Sequence, residues 1–244
     1  MTFVSNIQAV VFDAVGTLIY PSPGVSVAYR SYILQHCGFE ADPDSVAHAV
    51  SAAMTSRSTE DHLTTSEHQE YEFWLQVLRT VCEFSEQPVS EQQIAECFDN
   101  LYQHFSKPDS WRLFPEVTET MEFIRSLNLP IALASNFDKR LHPVCDGLPP
   151  LQDCPVRVVS SEIGFRKPSA DFYQAVCQHL QLPAEQILMV GDDLTNDIIG
   201  ATSCGLRAAW INRRQEDTMG LPANAVQIHH LTDLMALFEA TDAV

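Results

Sequence analysis

Two rhythms of apolar residues alternate along this chain. Short unbroken runs at 9–12, 129–134, 156–159, 187–190 and 208–211 read as buried strands. Apolar positions that recur every three to four residues predict helices over 117–127, from Ser169 to about Leu180, around 197–203 and from Leu231 onward. Strands alternating with helices imply right-handed crossovers and a parallel sheet. Residues 25–105 break that alternation, because their pattern is helical throughout. Val27, Tyr29, Ile33 and Leu34 mark a first helix, which glycine ends at Gly38. Asp42-Pro43 opens a second, running through Val46 and Val50, and Phe73, Trp74, Val77, Leu78 and Val81 space out a third. Ser90-Glu91-Gln92-Gln93 has the form of a capping box and starts a fourth, carrying Ile94, Cys97, Phe98 and Leu101. Four helices between one strand and the next predict an inserted helical domain, with the Phe73, Trp74, Val77 stripe as part of its core.

Composition narrows the partners. The 244 residues carry 14 Lys+Arg against 32 Asp+Glu, a formal charge of -18. Nucleic acid and anionic membranes both need basic surface, so neither is an expected partner. The N-terminus lacks a basic stretch, and Asp13 interrupts its apolar run, so neither a signal peptide nor a membrane span is expected and the predicted location is cytoplasmic. Seven cysteines with no Cys-x-x-Cys pair read as reduced, buried thiols.

The candidate chemistry collects at the strand ends. Asp13 follows the first strand, Ser135-Asn136 the second, Lys167 lies in the loop 164–168, and Asp192-Asp193 with Asp197 follow the run at 187–190. In an open α/β sheet ligands gather at the carboxyl ends of the strands. One carboxylate there can attack phosphorus, and two or three can hold Mg²⁺, a hard cation that favours oxygen. Ser135 and Lys167, one of only three lysines, offer a hydroxyl and an ammonium to phosphoryl oxygens. Arg30 and Arg57, in the helical insert, are weaker candidates for meeting a substrate anion.

Together Phe12-Asp13-x-x-Gly16-Thr17-Leu18, Ala134-Ser135-Asn136, Arg166-Lys167-Pro168 and Val190-Gly191-Asp192-Asp193-x-x-x-Asp197 resemble the four motifs of the haloacid dehalogenase superfamily of hydrolases. The resemblance covers nearly the whole chain. It implies an α/β fold with a Rossmann-like parallel sheet core (1–20 and 108–244) and an α-helical, C1-type cap at 21–107. It further implies a Mg²⁺-dependent phosphatase acting on a small phosphorylated metabolite through an aspartyl-phosphate. Asp13 and Lys167 would be catalytic, Ser135, Asn136 and Thr17 would bind substrate, and Asp13, Asp192 and the Val15 carbonyl would hold the metal, with Asp193 and Asp197 as further carboxylates. The family's phosphatases carry a second Asp two residues after the nucleophile; this chain has Val15, which cannot carry a proton. Proton transfer contributes about 10²–10⁴-fold, so weak turnover is expected, best with good leaving groups. A non-catalytic phosphate- or metabolite-binding protein is the alternative. The Gly191-Asp192-Asp193 motif argues against a metal-free dehalogenase, and the absence of lysine between Asp13 and Lys107 against a phosphonatase.

Overall fold

A computed structural model describes residues 3–58, 63–215 and 220–239. Six parallel strands form one sheet in the order β5-β4-β1-β6-β7-β8. They are β1 (Ala9–Phe12), β4 (Ile131–Ser135), β5 (Val156–Val159), β6 (Ile187–Gly191), β7 (Arg207–Ile211) and β8 (Ala225–Ile228). Every residue of β1, β4 and β6 is buried, as expected of parallel strands covered on both faces. Alternate residues serve the two faces. Val10, Phe12, Leu133, Leu188 and Val190 pack into one core, and Val11, Ala132, Ala134, Ile187 and Met189 into the other.

The predicted strands are all present, but three further ones carried too weak a pattern to read. The edge strand β8 has only one fully buried residue. Two three-residue strands, β2 (Ile19–Pro21) and β3 (Trp111–Leu113), pair antiparallel and bring the chain's exit toward the helical insert and its return from it side by side. The helix expected around 197–203 is a π-helical segment, Leu194–Ile199, followed by a single α-turn at Gly200–Ser203.

Between β2 and β3 lie four helices, α1 (Val25–Cys37), α2 (Pro43–Ser58), α3 (Glu67–Cys82) and α4 (Glu91–His104). They surround a core of their own that includes Tyr29, Ile33, Val46, Leu78, Phe98 and Leu101. Local chemistry sets their ends. Gly38 closes α1 with φ +78° and donates its N–H to Ile33 O, while Ser66 caps α3 through the Gln69 N–H. The Ser90–Gln93 capping box forms as its sequence predicts.

Polar contacts join the helices to the sheet's loops. Tyr102 donates to Asp138 Oδ2 at 3.0 Å, the Lys139 N–H to Glu67 Oε1 at 3.0 Å, and the Arg166 N–H to Leu63 O at 2.8 Å. No helix among the described residues is long and apolar enough to cross a membrane.

Candidate active site

The strand order explains why chemistry meets where it does. From β1 the sheet extends through β4 on one side and β6 on the other, so the crevice at its carboxyl edge opens at β1. Phe12 pairs with Leu133 and with Val190, which sets Asp13 beside the ends of both neighbours. The Asp13 N–H donates to Val190 O at 2.9 Å and fixes the backbone there.

Lys167 comes from the loop after β5 and is 2 % exposed. Its ammonium donates to Asp13 Oδ1 at 2.6 Å, Asp197 Oδ1 at 2.6 Å and Ala134 O at 2.9 Å. An ammonium has three hydrogens, and each is used. Burial alone would lower the Lys167 pKa, but the two carboxylates overcome it and push the pKa above its ordinary value. Ser135 adds a hydroxyl donor to Asp13 Oδ1 at 3.3 Å. Asn136 grips the backbone of Lys167 at both ends, accepting from its N–H at 2.7 Å and donating to its carbonyl at 3.1 Å. The position after the serine therefore sets where the lysine sits.

Two glycines make the close approach of the acids possible. Gly16 has φ +95°, and a Cβ there would lie 2.4 Å from Asp192 Oδ2. A Cβ on Gly191 would lie 2.2 Å from Asp197 Oδ2. Thr17 donates to Asp192 Oδ1 at 3.2 Å, and Trp210 donates its indole N–H to the Asp192 carbonyl at 2.9 Å.

Carboxylate oxygens of Asp13, Asp192 and Asp197 come within 4.8 Å of one another. Desolvation raises the Asp192 pKa and the Asp13 charge adds to it, up to about 6. Asp192 is exposed to the crevice, so repulsion by Asp13 is the sturdier of these two causes. A crowded set of hard oxygen donors fits a hard divalent cation, which would relieve that repulsion. Asp197, 1 % exposed, is pushed up mainly by burial, while Lys167 pulls it the other way.

The structure thus brings Asp13, Ser135, Lys167, Asp192 and Asp197 to one spot, with Thr17 bonded to Asp192. Asp193 lines the same cavity but stays outside the cluster, accepting from the Thr195 and Asn196 N–H groups at 2.9 and 2.7 Å as the cap of the π-helical segment. Val15 lines the same cavity as Asp13. Arg30 is turned to the Ala41 carbonyl, and Arg57 is closed by a bidentate pair with Glu70.

Above the acids lies a cavity of about 310 Å³, roofed by the helices of the insert. Its apolar wall includes Tyr29, Trp74, Phe98, Leu101 and Phe105. Trp74, whose helical spacing predicts a core role, is half-buried: it packs against the insert's core and also lines this cavity. Periodicity locates a helix's apolar face but not where that face runs past its partner. The sequence reading also missed the buried pair of Arg140 and Asp138, whose guanidinium lies 3.6 Å over the Tyr102 ring. The Asp-x-Arg spacing was its only signal.

A profile of the haloacid dehalogenase-like hydrolases matches residues 7–205. The chain is 23% identical over 244 residues to haloacid dehalogenase-like hydrolase domain-containing protein 3 of Bos taurus, covering 97% of this chain and 94% of that protein. It is 25% identical to ribulose-1,5-bisphosphate 5-phosphatase of Halopiger xanaduensis, covering 97% and 98%. A HAD-hydrolase candidate of Bacillus subtilis bound to magnesium superposes with a TM-score of 0.68 at 19% identity, covering 95% of this chain and 98% of that one. Strand-end acids, a buried lysine and a helical insert, matched by the profile over most of the length, lead to one conclusion: the chain belongs to the haloacid dehalogenase-like hydrolases.

Proposed function

We propose that this hydrolase is a Mg²⁺-dependent phosphatase that works through a covalent aspartyl-phosphate on Asp13, with turnover slowed by Val15. The observation that carries the reading is the Asp13 carboxylate. Lys167 and Ser135 hold its Oδ1, while Oδ2 has no hydrogen-bond partner among the described residues. An oriented carboxylate with a free oxygen is what nucleophilic attack requires. Asp13, Asp192 and Asp197 would hold the cation, which supplies neutralisation of phosphoryl charge.

Attack by an Asp13 oxygen on phosphorus forms a P–O bond and breaks the bond to the leaving group. That group departs as an oxyanion, because Val15 has no proton to give. Water then attacks the phosphorus of the aspartyl-phosphate, restores the carboxylate and releases inorganic phosphate and a proton. Acyl and aryl phosphates, whose anions are stable, suit such a site best.

Val15 also favours a second reading, a phosphate-binding protein without turnover. Acetyl phosphate with Mg²⁺ separates the two. Phosphate release, together with a hydroxylamine-sensitive 80 Da adduct mapped to Asp13 by mass spectrometry, is expected; binding with neither supports the second reading.

A further inference from the structure

We propose that the cavity above the acids selects a monophosphate whose remaining body is an uncharged aromatic group. This rests on the phosphatase reading for its chemistry but on separate residues for its specificity. The wall formed by Tyr29, Trp74, Phe98, Leu101, Tyr102 and Phe105 brings five rings to a space of about 310 Å³, about the lower end of small-molecule sites. Ring faces and edges favour another flat apolar group over a hydrated sugar or polyol.

Charge points the same way. The cavity is lined by four carboxylates, Asp13, Asp192, Asp193 and Asp197, against two cations, Lys167 and Arg140. Both cations are already engaged. Lys167 serves Asp13 and Asp197, and Arg140 donates from Nε and Nη2 to Asp138 at 2.7–3.0 Å. A cation at the acids would offset the phosphate dianion itself, which leaves no uncommitted positive side chain among the described residues of the cavity for a second anionic group. In the smaller cavity of about 90 Å³ beside it, Arg57 is likewise closed by Glu70.

Two donors on the wall do have spare capacity. The Tyr29 hydroxyl, on a residue 2 % exposed, and the Trp74 indole N–H have no hydrogen-bond partner among the described residues. They suit a neutral polar substituent on the ring. Val15, beside the nucleophile, fits this class too, since a phenoxide leaves without being protonated.

The test uses non-hydrolysable ligands first: methylphosphonate, benzylphosphonate and 4-carboxybenzylphosphonate, titrated calorimetrically with Mg²⁺ present. Adding the ring is expected to tighten binding by at least about tenfold, and adding the carboxylate to weaken it by about tenfold. Tighter binding of the carboxylated ligand, or no gain from the ring, overturns the proposal. Trp74→Ala should shrink the benzyl-to-methyl ratio several-fold. Met54→Lys, at a half-exposed rim position of the cavity, should instead recover binding of the carboxylated ligand. In a parallel arm, acetyl phosphate and phenyl phosphate are assayed for turnover. Acetyl phosphate hydrolysis without any ring preference leaves the phosphatase reading standing and removes this one. Ring-selective binding with neither ester hydrolysed does the reverse.

Discussion

At the floor of the crevice Asp13, Asp197, Lys167 and Ser135 share hydrogen bonds in a sealed network, while overhead Tyr29, Phe98, Leu101 and Phe105 meet the same space with rings and methyl groups. The floor comes from the ends of parallel strands and the loops that follow them. The roof comes from helices inserted between β2 and β3. On the floor a small displacement breaks a charge balance held by contacts of 2.6 Å; on the roof it changes only contact area. The proposed function puts reaction type on the floor and substrate choice on the roof. Changes to the floor should be costly in both rate and stability, and changes to the roof graded and ligand-dependent.

The largest effect is expected from Asp13→Asn. It keeps the volume but removes the proposed nucleophile, so phosphate release should fall by about 10³-fold or more and the Asp13 adduct should vanish. Retained turnover would remove Asp13 from the reaction. Next comes Lys167→Met, which leaves two carboxylates facing each other in a buried site. Breaking a buried ion pair costs about 3–5 kcal/mol, so Tm should drop by about 10 °C. Trp74→Ala on the roof should move Tm far less. Equal drops would mean that floor and roof are not distinct in this sense.

That same division decides what could be read from the residues alone. Floor residues follow directly from topology, because a buried apolar run that stops at an acid can deliver that acid only to the sheet edge. Asp13 and Asp192 were legible for this reason, and Lys167 through its motif. The role of Asn136 was not, since a side chain that clamps a backbone 31 residues further along leaves no trace in spacing. Asp197 and Ile198 keep an apparently helical rhythm, which predicts an ordinary helix where the chain forms a π-helical segment. On the roof, the Ser90 capping box and the apolar stripes located the helices well. Which stripe faces the crevice depends on how α1, α3 and α4 cross, so spacing alone places Trp74 against the insert's core but not also on the cavity.

Val15→Asp sharpens the comparison from between the two regions. Val15 borders the cavity, partly buried against the sheet's core, and sits two residues from Asp13. A carboxylic acid there should protonate an alkoxide leaving group and raise kcat on an alkyl phosphate such as glycerol phosphate by about 10²-fold. Acetyl phosphate, whose carboxylate leaves unaided, should gain far less in its first step. A uniform gain on both esters, or none with binding unchanged, would show that the missing proton donor does not limit the rate.

The smallest effect tests the floor without chemistry. A ligand that binds only the folded state stabilises it by RT ln(1 + [L]/Kd), about 1.4 kcal/mol at ten times Kd. For a chain of this size that is a Tm rise of about 3–6 °C. Mg²⁺ should produce it in the wild-type protein, and EDTA should reverse it. Asp192→Asn removes one of the three clustered carboxylates and the repulsion that raises its pKa, so the rise should disappear while the cation-free Tm holds or increases. Asp193→Asn is the contrasting control. Its carboxylate caps backbone N–H groups rather than joining the cluster, and an Asn side-chain oxygen caps them as well, so its variant should hold its stability and keep the Mg²⁺ shift. If instead Asp193→Asn abolishes the shift and Asp192→Asn does not, the acids have been assigned the wrong way round.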